Sequence, residues 1–311
     1  MKIIETEELE NISYCAAIGF FDGVHAGHRY LINELRTLAA QRQEQSLIIT
    51  FATHPRKVLN TDFRPQLLTT LPEKIRLLET TGADACAILN FTPEMAHLSA
   101  YDFMDKVLKK QYKVKTLLIG YDHRFGYNRE DSFEDYKRYG QTLGIEVVQA
   151  SCYMMGQHTH ISSSEIRRAL QTGEVEKAAA LLTYPYHLSG QVTGGYKVGR
   201  KIGFPTANIQ PDDADKLIPE KGVYAVEVHY DNTRYPGMLN IGSRPTFDNG
   251  NHISIEVHLI GFEKDIYNER LDISFLKRIR GEQKFPSVNE LIAQLEKDRE
   301  EVISLFSAQR E

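Results

Sequence analysis

The chain of 311 residues is short of several things, and each shortage removes a class of protein. It has three cysteines, Cys15, Cys86 and Cys152. Odd in number and widely spaced, they make no disulfide framework and read as reduced thiols, with Cys15 and Cys86 in apolar, core-forming runs. No apolar stretch is long enough to span a membrane and no signal peptide opens the chain, so a cytoplasmic protein without a membrane partner is expected. No long basic run occurs, and the formal charge of −5 argues against a nucleic-acid footprint. Neither internal repeats nor low-complexity segments are present. What remains is a globular composition, 41% hydrophobic and 25% charged, in a length that suits two domains each with its own core.

The two halves differ in texture. Up to about Leu182, short apolar runs (46–51, 85–90, 116–120, 145–150, after a first run at 12–21) alternate with helical patterns at 30–41, 72–80, 100–109 and 132–143. Such alternation predicts a Rossmann-like α/β domain, a parallel sheet covered by helices on both faces, over residues 1–183. Beyond Tyr184-Pro185-Tyr186-His187-Leu188, β-type runs at 188–193, 222–230, 235–241, 253–259 and 271–276 follow with few helices between them. That pattern predicts an antiparallel β-barrel domain over 184–311. A closing amphipathic helix is capped by Ser287 and Glu290, with Val288, Leu291, Ile292, Leu295, Val302 and Phe306 on the face that packs on the barrel.

Gly19-Phe20-Phe21-Asp22-Gly23-Val24-His25-Ala26-Gly27-His28 sits where the first strand hands over to a helix N-terminus. Free N–H groups and the positive end of the helix dipole meet there, which suits phosphate. The glycines let backbone approach a ligand, and His25 and His28 can donate to phosphoryl oxygens. Two histidines without a third ligand nearby make a poor zinc site, and a His-x-x-His pair alone also fits an ordinary surface or core. Ile161-Ser162-Ser163-Ser164-Glu165-Ile166-Arg167 supports two readings, a capping box of Ser162 with Glu165 or a polyphosphate cradle closed by Arg167. Phe51-Ala52-Thr53-His54-Pro55 follows a strand and offers an aromatic that could stack on a flat ring. Gly120-Tyr121-Asp122-His123-Arg124-Phe125-Gly126 follows another.

In the second half, Gly194-Gly195-Tyr196-Lys197-Val198-Gly199-Arg200-Lys201-Ile202-Gly203-Phe204-Pro205-Thr206-Ala207-Asn208 is rich in glycine and bases. It is neither a P-loop nor a Rossmann fingerprint, and by itself reads as a turn or as a phosphate-binding loop. Glu256, in Ile253-Ser254-Ile255-Glu256-Val257-His258-Leu259, is either an exposed residue of an alternating strand or a proton acceptor.

The opening decapeptide resembles the Gly-x-Phe-Asp-Gly-Val-His-x-Gly-His signature of nucleotidyltransferases that make FAD from FMN and ATP. The serine segment resembles that family's Ile-Ser-Ser-Thr-x-Ile-Arg element, with Ser164 in place of threonine. The glycine loop with Pro205-Thr206-Ala207-Asn208, the Glu-Val-His-Leu strand, Asn240-Ile241-Gly242-Ser243-Arg244-Pro245-Thr246-Phe247 and Arg280-Gly281-Glu282-Gln283-Lys284-Phe285 are similar to bacterial riboflavin kinases. Together the motifs resemble the prokaryotic bifunctional riboflavin kinase/FAD synthetase family over nearly the whole chain. Departures occur at Thr53, where proline is usual, at His123, which replaces an aromatic, and at Gly261 and Asn268, where aspartate and glycine are typical.

The resemblance implies two ATP-dependent reactions, riboflavin to FMN in the second domain and FMN to FAD plus pyrophosphate in the first. It makes His25, His28 and Glu256 catalytic. Phe20, Asp22, Gly23, Gly27, Asp122, Phe125, Ser162, Ser163, Ser164 and Arg167 would bind nucleotide and phosphate in the first domain, with Asp22 orienting its loop. Phe51, His54 and Pro55 would bind flavin there. In the second domain Gly195, Gly199, Gly203, Pro205, Thr206 and Asn208 would bind nucleotide, Thr206 and Asn208 would also hold Mg2+, and Arg280 would touch flavin. The expected partners are these small molecules alone, for a monomer or weak homo-oligomer. Retention of a single activity, or a non-catalytic flavin-sensing paralogue, are the alternatives.

Overall fold

The computed structural model describes residues 1–4, 12–121, 123–153, 161–194, 198–245 and 251–308. Contacts divide the chain into two compact units, Met1–Ser163 and Ser164–Glu311.

The first unit is built on six parallel strands, β1 (Lys2–Ile3), β2 (Tyr14–Ile18), β3 (Gln45–Phe51), β4 (Ala85–Leu89), β5 (Val114–Ile119) and β6 (Glu146–Gln149), in the order β1-β4-β3-β2-β5-β6. Strands covered on both faces must be apolar at successive positions, and all five residues of β2 are buried. The two-residue period divides them between two cores. Tyr14, Ala16, Ile18, Leu47 and Ile49 enter one, while Cys15, Ala17, Ile48 and Cys86 enter the other. Burial pushes the Cys15 and Cys86 thiols up to about 12, so both are inert core residues, as the sequence implies. The run at 12–21 leaves the sheet after Ile18, and β1 is a short strand that no sequence pattern announces.

The unit's helices are α1 (Ala26–Arg42), α2 (Pro55–Leu59), α3 (Leu71–Glu79), α4 (Pro93–Ala96), α5 (Ala100–Phe103) and α6 (Phe133–Leu143). Helix α5 continues over Met104–Gln111 with the wider π spacing, inside the segment expected to be a plain α-helix. A reciprocal capping box, Thr70 with Glu73, starts α3, and Ser132 with Asp135 starts α6. The path β2-β3-β4 runs one way from the middle of the sheet and β5-β6 the other. The carboxyl ends of β2 and β5 therefore flank the topological switch point, where ligands of such sheets gather.

The second unit is a closed antiparallel barrel of β7 (Tyr186–Thr193), β8 (Ala207–Pro211), β9 (Gly222–Tyr230), β10 (Thr233–Pro245), β11 (Asn251–Leu259) and β12 (Arg270–Arg280), ordered β10-β11-β8-β7-β12-β9. Helices α7 (Ser163–Gln171), α8 (Val175–Leu182), α9 (Val198–Lys201) and α10 (Val288–Ala308) accompany it. Helix α8 packs on β7 and β12, and Arg278 of β12 donates to Thr172 O at 3.3 Å and Lys221 O at 2.7 Å. These contacts assign α8 and nearly all of α7 to the barrel unit, whereas the change in sequence pattern falls only after them. On α10, Val302 is fully buried with Phe204, Ala225 and Met238, and Ile292, Leu295 and Phe306 flank it. Val288 is 59% exposed, so the apolar stripe starts one turn later than its spacing suggests, at Leu291.

Two candidate active sites

In the first unit the chain leaves β2 through a strained turn. Phe21 takes a left-handed conformation (φ 52°), Gly23 follows at φ 80°, and the β-branched Val24 sits at φ 38°. Such residues cost about 1–3 kcal/mol each unless their surroundings over-determine them. Here a buried anchor does so. The Asp22 carboxylate accepts Leu68 N (3.0 and 3.1 Å), Thr69 N (3.0 Å) and Thr69 Oγ1 (3.2 Å), while Gly23 N donates to Thr69 Oγ1 at 3.0 Å. Asp22, only 3% exposed, thus orients the loop from beneath.

The turn delivers His25 as the N-cap of α1, its Nδ1 accepting His28 N at 3.4 Å. In the neutral ring that leaves the proton on Nε2. The rings of His25 and His28 stack 3.6 Å apart, and the edge of Phe21 meets His28. A Cβ on Gly27 would fall 3.3 Å from the His25 ring, so glycine keeps that stack close to the backbone. Burial, with the positive potentials of His25, Lys74 and His123, holds His28 well below the ordinary value of 6.5, and the ring is neutral near pH 7. Its Nδ1 is shielded from solvent and bonded to no group among the described residues.

Beside this loop lies a cavity of about 420 Å3 whose lining includes Phe51, Pro55, Phe125 and His123. Arg56, Arg124 and Arg129 also line it. Phe125 stacks flat on Tyr136 at 4.4 Å and exchanges backbone hydrogen bonds with the Tyr136 hydroxyl. His54 caps α2 by accepting Arg56 N at 3.1 Å, and its ring meets Phe20 edge-on at 4.7 Å. The structure therefore gathers Phe51 and Pro55, expected on the flavin, with Phe125, expected on the nucleotide, around one cavity. Asp122 lies outside the described residues.

Ser163 opens α7 and donates to Asp22 O at 3.1 Å, which ties the serine segment to the histidine turn. Ser162, beside it in the same unit, is half-buried. Ser164, exposed, and Arg167, half-buried, belong with the barrel unit.

The barrel site is built by register. Asn208 of β8 stands opposite Glu256 of β11, and Thr206, two residues earlier, donates to Glu256 Oε2 at 3.3 Å. The His258 imidazole donates through Nδ1 to Pro205 O at 2.8 Å and fixes the segment from the other side. Burial lowers the His258 pKa below its usual value, opposed by this hydrogen bond. A Cβ on Gly199 in α9 would lie 2.1 Å from Phe204 O, and Gly203 in the turn after it has φ 85°, so both positions favour glycine. Two cavities share Thr206. One, about 420 Å3, includes Asn240, Glu256, Arg280 and Phe285, and the other, about 460 Å3, includes Arg200, Phe262 and Tyr267. Gly195 lies outside the described residues.

Arg280 is already engaged. Its guanidinium donates to Asp298 of α10 through Nε (3.0 Å) and Nη2 (2.8 Å), with Asp298 1% exposed, and lies over the Phe285 ring at 5.6 Å. Sequence reasoning missed Asp298, and also Lys74 and the Thr69 anchor of Asp22. For Lys74 a signal existed, because it shares the buried face of α3 with Leu78, four residues on, where an apolar residue is expected.

Residues 7–165 match the family model described as FAD synthetase, and residues 182–306 match the one described as riboflavin kinase. The bifunctional riboflavin kinase/FMN adenylyltransferase of Listeria monocytogenes is 38% identical over 98% of this chain and 96% of its own. Proteins of the same name from Bacillus subtilis (36% identical, covering 98% and 95%) and Escherichia coli K12 (38% identical, covering 90% and 89%) are similar too. A crystal structure described as a macrolide-efflux protein from Streptococcus pneumoniae has a TM-score of 0.86 at 31% identity, covering 96% of this chain and 98% of that one. Among the described residues no helix is long and apolar enough to cross a membrane.

Proposed function

The chain belongs to the bifunctional riboflavin kinase/FMN adenylyltransferase family, and we propose how its residues divide that work between the two units. The protein is an ATP-dependent transferase that converts riboflavin to FMN and FMN to FAD.

For adenylyl transfer, an oxygen of the FMN phosphate attacks the α-phosphorus of ATP in line. A new P–O bond forms as the α–β bond breaks and pyrophosphate leaves. The nucleophile is already an anion, so the reaction asks for positioning and charge stabilisation rather than a base. His25 and His28 hold phosphoryl oxygens as the transition state forms, Ser162 and Ser163 of the same unit bind phosphate, Phe125 binds nucleotide, and the isoalloxazine ring lies against Phe51 and Pro55. Phe20, Gly23 and Gly27 shape the nucleotide and phosphate side, His54 the flavin side, and Asp22 acts by orienting the turn.

For the kinase reaction the nucleophile is a primary alcohol, and Glu256 accepts its proton as the oxygen attacks the γ-phosphorus and ADP leaves. Gly199, Gly203 and Pro205 shape the nucleotide loop. The Thr206 hydroxyl and Asn208 amide, hard oxygen donors beside a carboxylate, fit Mg2+ and would hold it. When bound it would supply charge neutralisation on the phosphates. The 3.3 Å contact of Thr206 with Glu256 carries this assignment, because it sets a phosphate-side hydroxyl just before β8 against the base on β11.

We further propose a cytoplasmic protein working as a monomer or weak homo-oligomer without nucleic acid, a reading supported by its free thiols and net charge of −5. A chromatographic time course with riboflavin, excess ATP and magnesium tests the whole. FMN should rise and then give way to FAD, whereas FMN accumulating without FAD would refute the assignment of the first unit.

A further inference from the structure

Lys74 is a buried cation that the chemistry above does not use. It is 2% exposed, yet it reaches Phe51 O at 2.9 Å and Phe20 O at 3.1 Å, and its ammonium lies 4.1 Å from the centre of the Phe20 ring. Its three N–H directions are thus met by two carbonyls and an aromatic face. Those carbonyls close two different elements. Phe51 ends β3 and lines the aromatic cavity, while Phe20 begins the turn that carries His25 and His28. Thr50 Oγ1 donates to the same Phe20 carbonyl at 3.1 Å, so the joint is doubly bonded. A buried ammonium is costly, and a structural lysine would normally be matched by a carboxylate in contact. The carboxylate whose field reaches Lys74 is that of Asp22, which accepts from Leu68 N and Thr69 N.

We infer that Lys74 is a positioning residue for adenylyl transfer, fastening the histidine turn to the flavin-side strand end and setting a fixed positive charge beside His28 where phosphates converge. This rests on the adenylyltransferase reading of the first unit. The charge does more than the bonds, because a deprotonated amine still has enough N–H groups for both carbonyls. Desolvation lowers the Lys74 pKa to about 8, within reach of an activity profile. The other groups facing it are Asp22 on the turn, His28 on α1 and Cys86 on β4. His28 is held well below 6.5 and Cys86 is raised to about 12, so neither titrates beside Lys74 near pH 8.

The test is FAD formation from supplied FMN by the full chain, wild type and Lys74→Met, from pH 6.5 to 9.5, with melting curves as a folding control. The wild-type kcat/KM for FMN should fall above about pH 8, as the free enzyme loses the charge. Folded Lys74→Met should lose about 10²-fold in kcat with KM for FMN and ATP changed less than threefold, and its profile should lack the alkaline fall. A kcat within threefold of wild type, or an unchanged alkaline fall in the variant, overturns the inference. If the variant does not fold, the wild-type profile decides, since a flat kcat/KM to pH 9.5 overturns it and a fall near 8 supports it. A wild type that makes no FAD at all refutes the underlying reading, which separates that failure from this one.

Discussion

On the assignments proposed above, the two units handle phosphate on opposite principles. The histidine site is buried and strained. It has a left-handed Val24, a carboxylate sunk beneath its turn, a neutral His28 and a buried ammonium bonded to two backbone carbonyls. The barrel site is open, with Thr206 exposed and Glu256 half-buried, and its geometry comes from strand register. The difference follows the nucleophile. An FMN phosphate arrives charged, so the first unit invests in fixed dipoles and charge away from water, where they act most strongly. A ribityl hydroxyl arrives neutral, so the second unit needs a carboxylate that water and substrate can reach.

The largest effects come from breaking each site alone. His25→Ala should lower FAD formation from supplied FMN by about 10³-fold and leave FMN formation from riboflavin within twofold, measured in one chromatographic assay. Glu256→Gln should do the reverse, with FMN formation reduced about 10²–10³-fold and FAD formation unchanged. Equal loss of both activities in either variant would dissolve the comparison, because it would mean that the sites do not act separately.

Next in size is a stability effect confined to the barrel. Arg280 and Asp298 form the most enclosed ion pair among the described residues, with side chains 13% and 1% exposed. Asp298→Ala leaves the guanidinium half-desolvated without its partner, at a cost of about 3–5 kcal/mol. Hydrogen exchange should show β12 and α10 loosened while β2 and α1 keep their protection. A uniform loss across both units would contradict a local role for the pair.

What the sequence made legible is chemistry carried by contiguous residues. The decapeptide around His25, the strand with Glu256 and the alternation that sets the sheet and barrel can all be read along the chain. What it hid is chemistry assembled across it. Asp22 finds Leu68 46 positions away, and Arg280 finds Asp298 on a different element. The capping box of α3 is local and legible, whereas the burial of Lys74 on that helix depends on Phe20 and Phe51, which lie more than twenty positions away. Contacts and sequence texture divide the chain at different places, and the riboflavin kinase match begins at residue 182, beside the change in texture. Pattern changes after Leu182, yet α8 packs on β7 and β12, because contacts follow the buried face of a helix and not the texture of the sequence around it.

The smallest effect sharpens the comparison through pH. His28 in one unit and His258 in the other both have folded pKa values below the free value of 6.5. As pH falls below 6.5 the unfolded chain takes up a proton that the folded site refuses. Each histidine therefore makes folding less favourable as pH falls through the window between 6.5 and its folded value, and contributes no such penalty above it. The slope for one such group reaches about 1.4 kcal/mol per pH unit at most. The window is wider for His28, whose burial is reinforced by the positive potentials of His25, Lys74 and His123, than for His258, whose bond to Pro205 opposes the shift. Hydrogen exchange corrected for intrinsic rates, from pH 7.5 to 5, should show acid loosening of β2 and α1 that His28→Asn relieves. His258→Asn should relieve a smaller loosening of β11. If neither variant flattens its own unit's acid slope, the acid sensitivity arises elsewhere, and the contrast between a sealed site and an open one loses its electrostatic basis.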